Sequence, residues 1–271
     1  MPQLKIDDID IAYDDIGAGE NVIVFVHGHP FDRSMWAPQH ETVRRVGWRA
    51  LVPDLRGYGE TTVVPGKTPL SRFAEDIVGL TDRLGVERFV VAGLSMGGQI
   101  AMELCRTYPD RLSGLVLAAT FPQAETEEGK IKRRAMAERY LAEGMRPYAE
   151  EILSKMVAPR NIAALPAVAA QVMDMMVSAP PEGAAAAMRG RAERPDYRAT
   201  LEGFGKPALV VVGDEDGFTT RDDAAMMHQL LQGSRLVWLE GVGHMPNLER
   251  EDEFNAALSQ FLRDVAKGEK A

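Results

Sequence analysis

The 271-residue chain has one cysteine, Cys105, so it holds no internal disulfide; lying inside a helical pattern, that thiol reads as a packed side chain and not as a redox centre. No apolar run approaches the roughly 18 to 20 residues of a membrane-spanning helix. The opening stretch Met1-Pro2-Gln3-Leu4-Lys5-Ile6-Asp7-Asp8 lacks the charged-then-apolar pattern of a secretory signal. These absences predict a cytoplasmic protein with no membrane partner. Basic charge is in deficit: 31 Lys and Arg stand against 40 Asp and Glu, a net charge of −9 with no basic stripe, which argues against a nucleic-acid partner. The five histidines are scattered, His27 and His29 on one loop and His40, His228 and His244 elsewhere, without the i, i+4 pair or attendant carboxylates of a metal site. No metal and no cofactor is expected. The only compositionally biased tract is a run of four alanines at 184–187.

What is present is an alternation of strand and helix signals, and the length suits a single α/β domain with a large core. Segments 4–6 and 9–13 read as an antiparallel hairpin, followed by strands at 22–26, 50–53, 89–92, 115–118, 209–212 and 236–239 with helical patterns between them. The clearest helix is 70–84, with Phe73, Ile77, Leu80 and Leu84 on one face and Ser71 as its expected cap. From 121 to 204 the strand rhythm stops, and prolines at 147, 159, 166, 180, 181 and 195 divide the stretch into three or four helices. The expected organisation is a core of 1–120 and 206–271 with a helical lid, 121–205, inserted between strands six and seven. Half of the fourteen methionines fall in that lid, and some are expected to line an acyl pocket. Residues 267–271 are expected to fray.

Chemistry concentrates at Gly93-Leu94-Ser95-Met96-Gly97-Gly98, which follows the apolar run Phe89-Val90-Val91-Ala92 and opens a helical pattern. That is the context of a nucleophile elbow: a serine held proud of the sheet, small residues around it, and a helix N-terminus aimed at developing negative charge. A serine hydroxyl needs a histidine base and a carboxylate that orients it. His244, in Gly241-Val242-Gly243-His244-Met245-Pro246-Asn247 just past the last strand, occupies the place for the base. For the acid, the loop after strand seven offers Asp214, Glu215 and Asp216; Asp216 is favoured because it can turn back over the sheet edge, and Asp214 is its rival.

Taken together these residues resemble the α/β-hydrolase superfamily over nearly the whole chain. Within it they look like the group of small serine esterases, enol-lactonases and cofactor-free haloperoxidases. Val24-Phe25-Val26-His27-Gly28-His29-Pro30 is similar to the family's oxyanion strand and loop, and Pro53-Asp54-Leu55-Arg56-Gly57-Tyr58-Gly59 to its loop after the fourth strand. The resemblance implies a mostly parallel eight-stranded sheet flanked by helices, a triad of Ser95, Asp216 and His244, and an oxyanion hole from the backbone amides of His29 and Met96. It also implies hydrolysis of a small ester or lactone without a cofactor. Two departures are visible: Thr220 and Glu251 stand where many members carry proline. Serine at the elbow argues against haloalkane dehalogenases and epoxide hydrolases, which place aspartate there, and Met96 argues against the prolyl aminopeptidase-like branch. Perhydrolysis and C–C bond hydrolysis use the same triad and stay as alternatives, as does a non-catalytic small-molecule receptor on the same scaffold. Homo-oligomerisation is left open.

Residues beside the motif loops, Phe31, Trp36, Phe121 and Phe218, are the candidates for substrate contact. His27 is expected to orient the oxyanion loop, Asp54 and Arg56 to form an ion pair or loop anchor, and Asp32 and Arg33 to face either the entrance or solvent.

Overall fold

The computed structural model describes residues 2–269. Eight strands form one sheet: β1 (Gln3–Ile6), β2 (Ile9–Ile16), β3 (Val22–Val26), β4 (Arg49–Pro53), β5 (Phe89–Leu94), β6 (Leu112–Ala118), β7 (Ala208–Gly213) and β8 (Arg235–Leu239). Their spatial order is β1-β2-β4-β3-β5-β6-β7-β8, with β1, β2 and β4 pairing antiparallel and every later neighbour parallel. Every residue of β3, β5 and β7 is buried. Helices cover both faces there, so these strands read as unbroken apolar runs with no alternation. β8 closes the sheet as a half-exposed edge, with Trp238 covered by the Arg221 guanidinium 5.5 Å from its ring centre.

Because β3, β5, β7 and β8 run the same way, the loops that follow them emerge at one edge of the sheet, where ligands bind in open α/β folds. The elbow helix Met96–Thr107 packs below that edge and buries Ile100, Ala101, Met102, Leu104 and Cys105. Burial pushes the Cys105 thiol well above its ordinary value, which keeps it inert. Helix Leu70–Arg83 buries Phe73, Ile77 and Leu80 as their spacing predicts, so truncating Phe73 to Ala would cost about 3–5 kcal/mol. Ser71 is not its cap. Pro69 is, with extended backbone (ψ 159°), and the helix starts at once at Leu70, leaving Ser71 inside the first turn.

Between β6 and β7 lie six helices where three or four were expected: Glu127–Glu143, Arg146–Met156, Pro159–Ala164, Pro166–Ser178, Pro181–Arg191 and Arg198–Glu202. Four of them carry proline in the first turn, the position where a missing N–H costs nothing. The last helix, Glu251–Glu269, continues through 267–269 where fraying was expected; 270 and 271 lie outside the described residues. Among the described residues no helix is long and apolar enough to cross a membrane.

Candidate active site

Ser95 sits between β5 and the elbow helix at φ 55°, ψ −115°, a backbone state that costs a side-chain-bearing residue about 1–3 kcal/mol. The surroundings hold it there. Its amide donates to the Ala118 carbonyl (3.0 Å), and its own carbonyl accepts from the Gln99 amide (3.1 Å) and the Thr120 hydroxyl (2.8 Å). The chain passes so close to itself that a Cβ on Gly93 would strike the Gly97 carbonyl, one on Gly97 would strike the Val26 carbonyl, and one on Gly98 would lie 2.5 Å from Thr120 Cγ2. The glycines around the serine are required by this approach.

In the loop after β7, Asp216 accepts hydrogen bonds from the amides of Phe218 (2.8 Å) and Thr219 (3.1 Å). Both of its carboxylate oxygens lie 2.9 Å from Nδ1 of His244, and both side chains are almost wholly buried. Burial alone would raise the Asp216 carboxyl; the imidazole and the two amides outweigh it and hold the group below its ordinary value. With the Nδ1 proton donated to Asp216, Nε2 is left as the basic nitrogen. Asp214 does a different job, receiving the Gly241 amide at 2.6 Å and so bracing the histidine loop against the acid loop. Glu215 turns outward to Arg160 (2.8 Å).

The His244 loop is clamped from behind by a carboxylate that sequence reasoning passed over. Glu249 is buried and accepts four hydrogen bonds: from the amides of Gly243 (3.0 Å) and Met245 (3.3 Å) on one oxygen, and from the Ala158 amide (2.9 Å) and Asn161 Nδ2 (2.7 Å) on the other. The His244 amide itself donates to the Met156 carbonyl (2.9 Å). The inserted helices and the histidine loop therefore share one polar knot.

After β3, the His27 ring places one nitrogen 2.9 Å from the Gly28 carbonyl while the other accepts from the Leu55 amide at 2.9 Å, so His27 does tie its loop to the next one. The His29 ring lies between the hydroxyls of Tyr58 (2.7 Å) and Tyr140 (3.1 Å). Burial, and after it the cation of Arg191, push the His29 imidazole well below its ordinary value, so it is neutral. Among the described residues neither the His29 amide nor the Met96 amide donates to a protein acceptor.

Ser95, His29, His244 and Phe218 open onto one cavity of about 410 Å³. The Phe218 ring lies 4.7 Å from the His244 ring, and the inserted helices add Met136, Tyr148, Ile152, Met156 and Met188. A second hollow of about 370 Å³ lies at the opposite end of the strands, near Gly19, Arg49 and Arg88, and holds none of these side chains.

The sequence profile of the alpha/beta hydrolase family matches residues 23–257. This chain belongs to that family. It is 26% identical over 243 residues, 90% of its length and 89% of the other, to 3-oxoadipate enol-lactonase 1 of Acinetobacter baylyi. Among solved structures it superposes on a thermophilic esterase from Thermogutta terrifontis, determined with malate bound, with a TM-score of 0.95 and 37% identity over 98% of this chain and 99% of that one. It also superposes on the enol-lactonase from Burkholderia xenovorans LB400, with a TM-score of 0.89 and 28% identity over 97% and 100%.

Seen as an alpha/beta hydrolase, the chain brings Ser95 and His244 to one cavity and sets Asp216 behind the imidazole, but three of the four aromatic residues expected at the substrate lie elsewhere. Phe31 and Trp36 are buried in the core, the Trp36 ring tilted against Phe25 with centres 4.8 Å apart, and neither reaches the cavity. Phe121 is taken up by the Arg194 guanidinium, 4.9 Å from its ring centre. Phe218 alone of the four lines the cavity. Arg33 faces no entrance: it is buried against Asp54, Asp14 and Glu60, and Asp32 caps the turn that follows by accepting the Ser34 amide at 2.8 Å. Asp54 and Arg56 are both anchored, but not to each other, since Arg56 pairs with Asp76 and Asp8. The departures at Thr220 and Glu251 are helix starts, Thr220 closing a capping box with Asp223 and Glu251 opening the acidic first turn of the last helix. Of the seven methionines in the insertion, Met136, Met156 and Met188 line the cavity. The cavity residue most thoroughly missed is Arg191. Its signal was its place three residues after Met188 and seven after Ala184, on the buried stripe of an alanine-rich helix.

Proposed function

We propose that this alpha/beta hydrolase cleaves a small carboxylic ester or lactone through an acyl-enzyme on Ser95. The observation that carries the reading is the Asp216–His244 pair, bonded at 2.9 Å and facing the same cavity as a serine whose backbone is held at φ 55°. Ser95 Oγ attacks the carbonyl carbon as His244 Nε2 takes its proton; Asp216 stabilises the imidazolium and does not itself take the proton. No hydrogen bond joins the serine hydroxyl to the imidazole among the described residues, and in such sites that bond often closes only around substrate. The tetrahedral oxyanion is received by the amides of His29 and Met96, a role supported by their having no other acceptor and by the helix N-terminus behind Met96. Collapse breaks the bond to the alkoxide, which leaves as the alcohol with the proton from His244. Water then repeats the sequence on the acyl-enzyme and releases the acid. The helices within 121–205 serve as the lid of this site, with 1–120 and 206–271 as its base.

Labelling with a fluorophosphonate and mapping the modified peptide tests the nucleophile. Ser95 carries the label, and Ser95→Ala lowers turnover of p-nitrophenyl acetate by roughly 10⁴-fold or more. Retained turnover in that variant removes Ser95 from the mechanism, and absence of any turnover in the wild type leaves a binding protein.

A further inference from the structure

The cavity that holds Ser95 and His244 has a charge opposite to that of the protein around it. The chain carries −9, yet the cavity is lined by Lys132, Arg133, Lys155 and Arg191 against the one carboxylate of Glu125. Glu125 is already shared, since it pairs with Arg133 and, at 2.9 Å, with Arg194. Arg191 has no carboxylate partner among the described residues although it is only 7% exposed. Its Nε donates to Gln99 Oε1 (3.2 Å), its Nη1 lies 4.0 Å from the Met188 sulfur, and its Nη2 donates to no protein acceptor. Burial, reinforced by the neighbouring Arg133 and Arg194, pushes its guanidinium well below its ordinary value. A buried cation held beside other cations is stable only at a cost, and the missing compensation is an anion.

The anchor sets where that anion sits. Gln99 lies one helical turn beyond Ser95, its amide bonded to the Ser95 carbonyl at 3.1 Å. Gln99 thus lies about 6 Å along the helix axis from the nucleophile's residue, and Arg191 is held 3.2 Å from the end of its side chain. A flat guanidinium with a free nitrogen suits a carboxylate, which it can grip through two parallel bonds. The same cavity also has apolar lining, with Met136, Ile152 and Met156 suited to a short methylene spacer.

We propose that Arg191 binds a free carboxylate on the substrate, so that the favoured substrates are short esters or lactones carrying a second, ionised carboxyl group a few carbons from the carbonyl that Ser95 attacks. This rests on the reading of Ser95 as nucleophile. The ammonium groups of Lys132 and Lys155 add attraction for the same anion as it approaches.

The test compares monoethyl glutarate with ethyl 4-carbamoylbutanoate, which has the same shape with a neutral amide in place of the carboxylate. Wild-type kcat/KM favours the acid by at least about 30-fold at low salt, and the ratio shrinks as ionic strength rises. Arg191→Met brings the ratio near one, Arg191→Lys leaves an intermediate value, and Arg189→Met, a half-buried position on the same helix that pairs with Glu138, keeps the wild-type ratio. Free glutarate inhibits wild-type hydrolysis of p-nitrophenyl acetate competitively, and glutaramide does not; this arm needs no variant to fold. Equal rates on acid and amide, a preference that survives Arg191→Met, or no inhibition by glutarate overturns the carboxylate site. If p-nitrophenyl acetate is not hydrolysed and Ser95 takes no label, the nucleophile reading fails first; with both intact, only the Arg191 assignment is at stake.

Discussion

Replacing Glu249 by Gln should damage both stability and turnover, although Glu249 touches no reacting atom. One of its oxygens accepts from the amides that flank His244, at 3.0 and 3.3 Å, and the other accepts from Ala158 and Asn161 at 2.9 and 2.7 Å. A glutamine keeps one acceptor and puts an NH₂ donor where the other stood, so two donors face a donor whichever way the amide turns. Asn161 cannot rotate to accommodate it, because the same Nδ2 also donates to the Gly241 carbonyl at 2.8 Å. The longer pair, on the histidine loop, is the one released. Hydrogen bonds to a charged acceptor contribute about 1.5–3 kcal/mol each, so two cost about 3–6 kcal/mol. At about 2–4 °C per kcal/mol for a chain near this size, the melting temperature falls by roughly 6–24 °C. Because the freed amides belong to Gly243 and Met245, the imidazole loses its fixed aim, and kcat falls more than KM rises. Differential scanning calorimetry with initial rates on p-nitrophenyl acetate reads both quantities. A melting temperature within about 2 °C of wild type together with unchanged kcat would refute the idea that this carboxylate holds the histidine loop.

Three further outcomes follow from the same structure. Asp216→Asn replaces one of the two oxygens facing His244 Nδ1 by an NH₂ donor and so favours the wrong imidazole tautomer; turnover drops by about 10⁴-fold with the fold intact by circular dichroism, and a loss under tenfold would return the role of acid to another carboxylate. Gly97→Ala drives a methyl into the Val26 carbonyl, costs about 1–3 kcal/mol, and suppresses labelling of Ser95 by fluorophosphonate; full labelling at wild-type stability would show that the elbow has room to spare. In acid, burial would raise the Glu125 carboxyl, but Arg133 and Arg194 outweigh burial and hold it below its ordinary value. A carboxyl depressed in the folded state stabilises it above its unfolded value, about pH 4.3, and loses that contribution as pH falls through the lower folded one. Asp54 and Asp76, raised by burial, contribute with the opposite sign, so the comparison is made by difference: Glu125→Gln shows a smaller drop in melting temperature from pH 7 to pH 4 than wild type, and an identical drop counts against the Arg133–Glu125–Arg194 clamp.

Local pattern alone was enough for the sheet and the two loops that carry Ser95 and His244. Strands buried on both faces must be unbroken apolar runs, and a serine forced to positive φ must be surrounded by glycine, so both leave marks within a few residues. The same holds for helix Leu70–Arg83, whose apolar positions recur at the helical period, though its cap was misread because Pro69 sets the extended entry two residues earlier than a Ser71 cap would. What spacing could not decide was every choice that depends on approach between distant segments. Asp214 and Asp216 are two residues apart and chemically alike; only the path of the loop over β7 sends one to the Gly241 amide and the other to His244. Phe31 and Trp36 sit beside a motif loop in sequence, yet the turn after β3 directs them into the core, while Tyr148 and Arg191, over fifty residues beyond Ser95, arrive in the cavity. The Glu249 knot joins 158, 161, 243 and 245, a set no periodicity connects. Sequence alone determined the strands and singled out Ser95 and His244, because those follow from backbone preference and side-chain chemistry over one or two turns. Tertiary packing decided which carboxylate meets His244 and which walls and which buried cation line the cavity, because burial and charge compensation are properties of the space between elements.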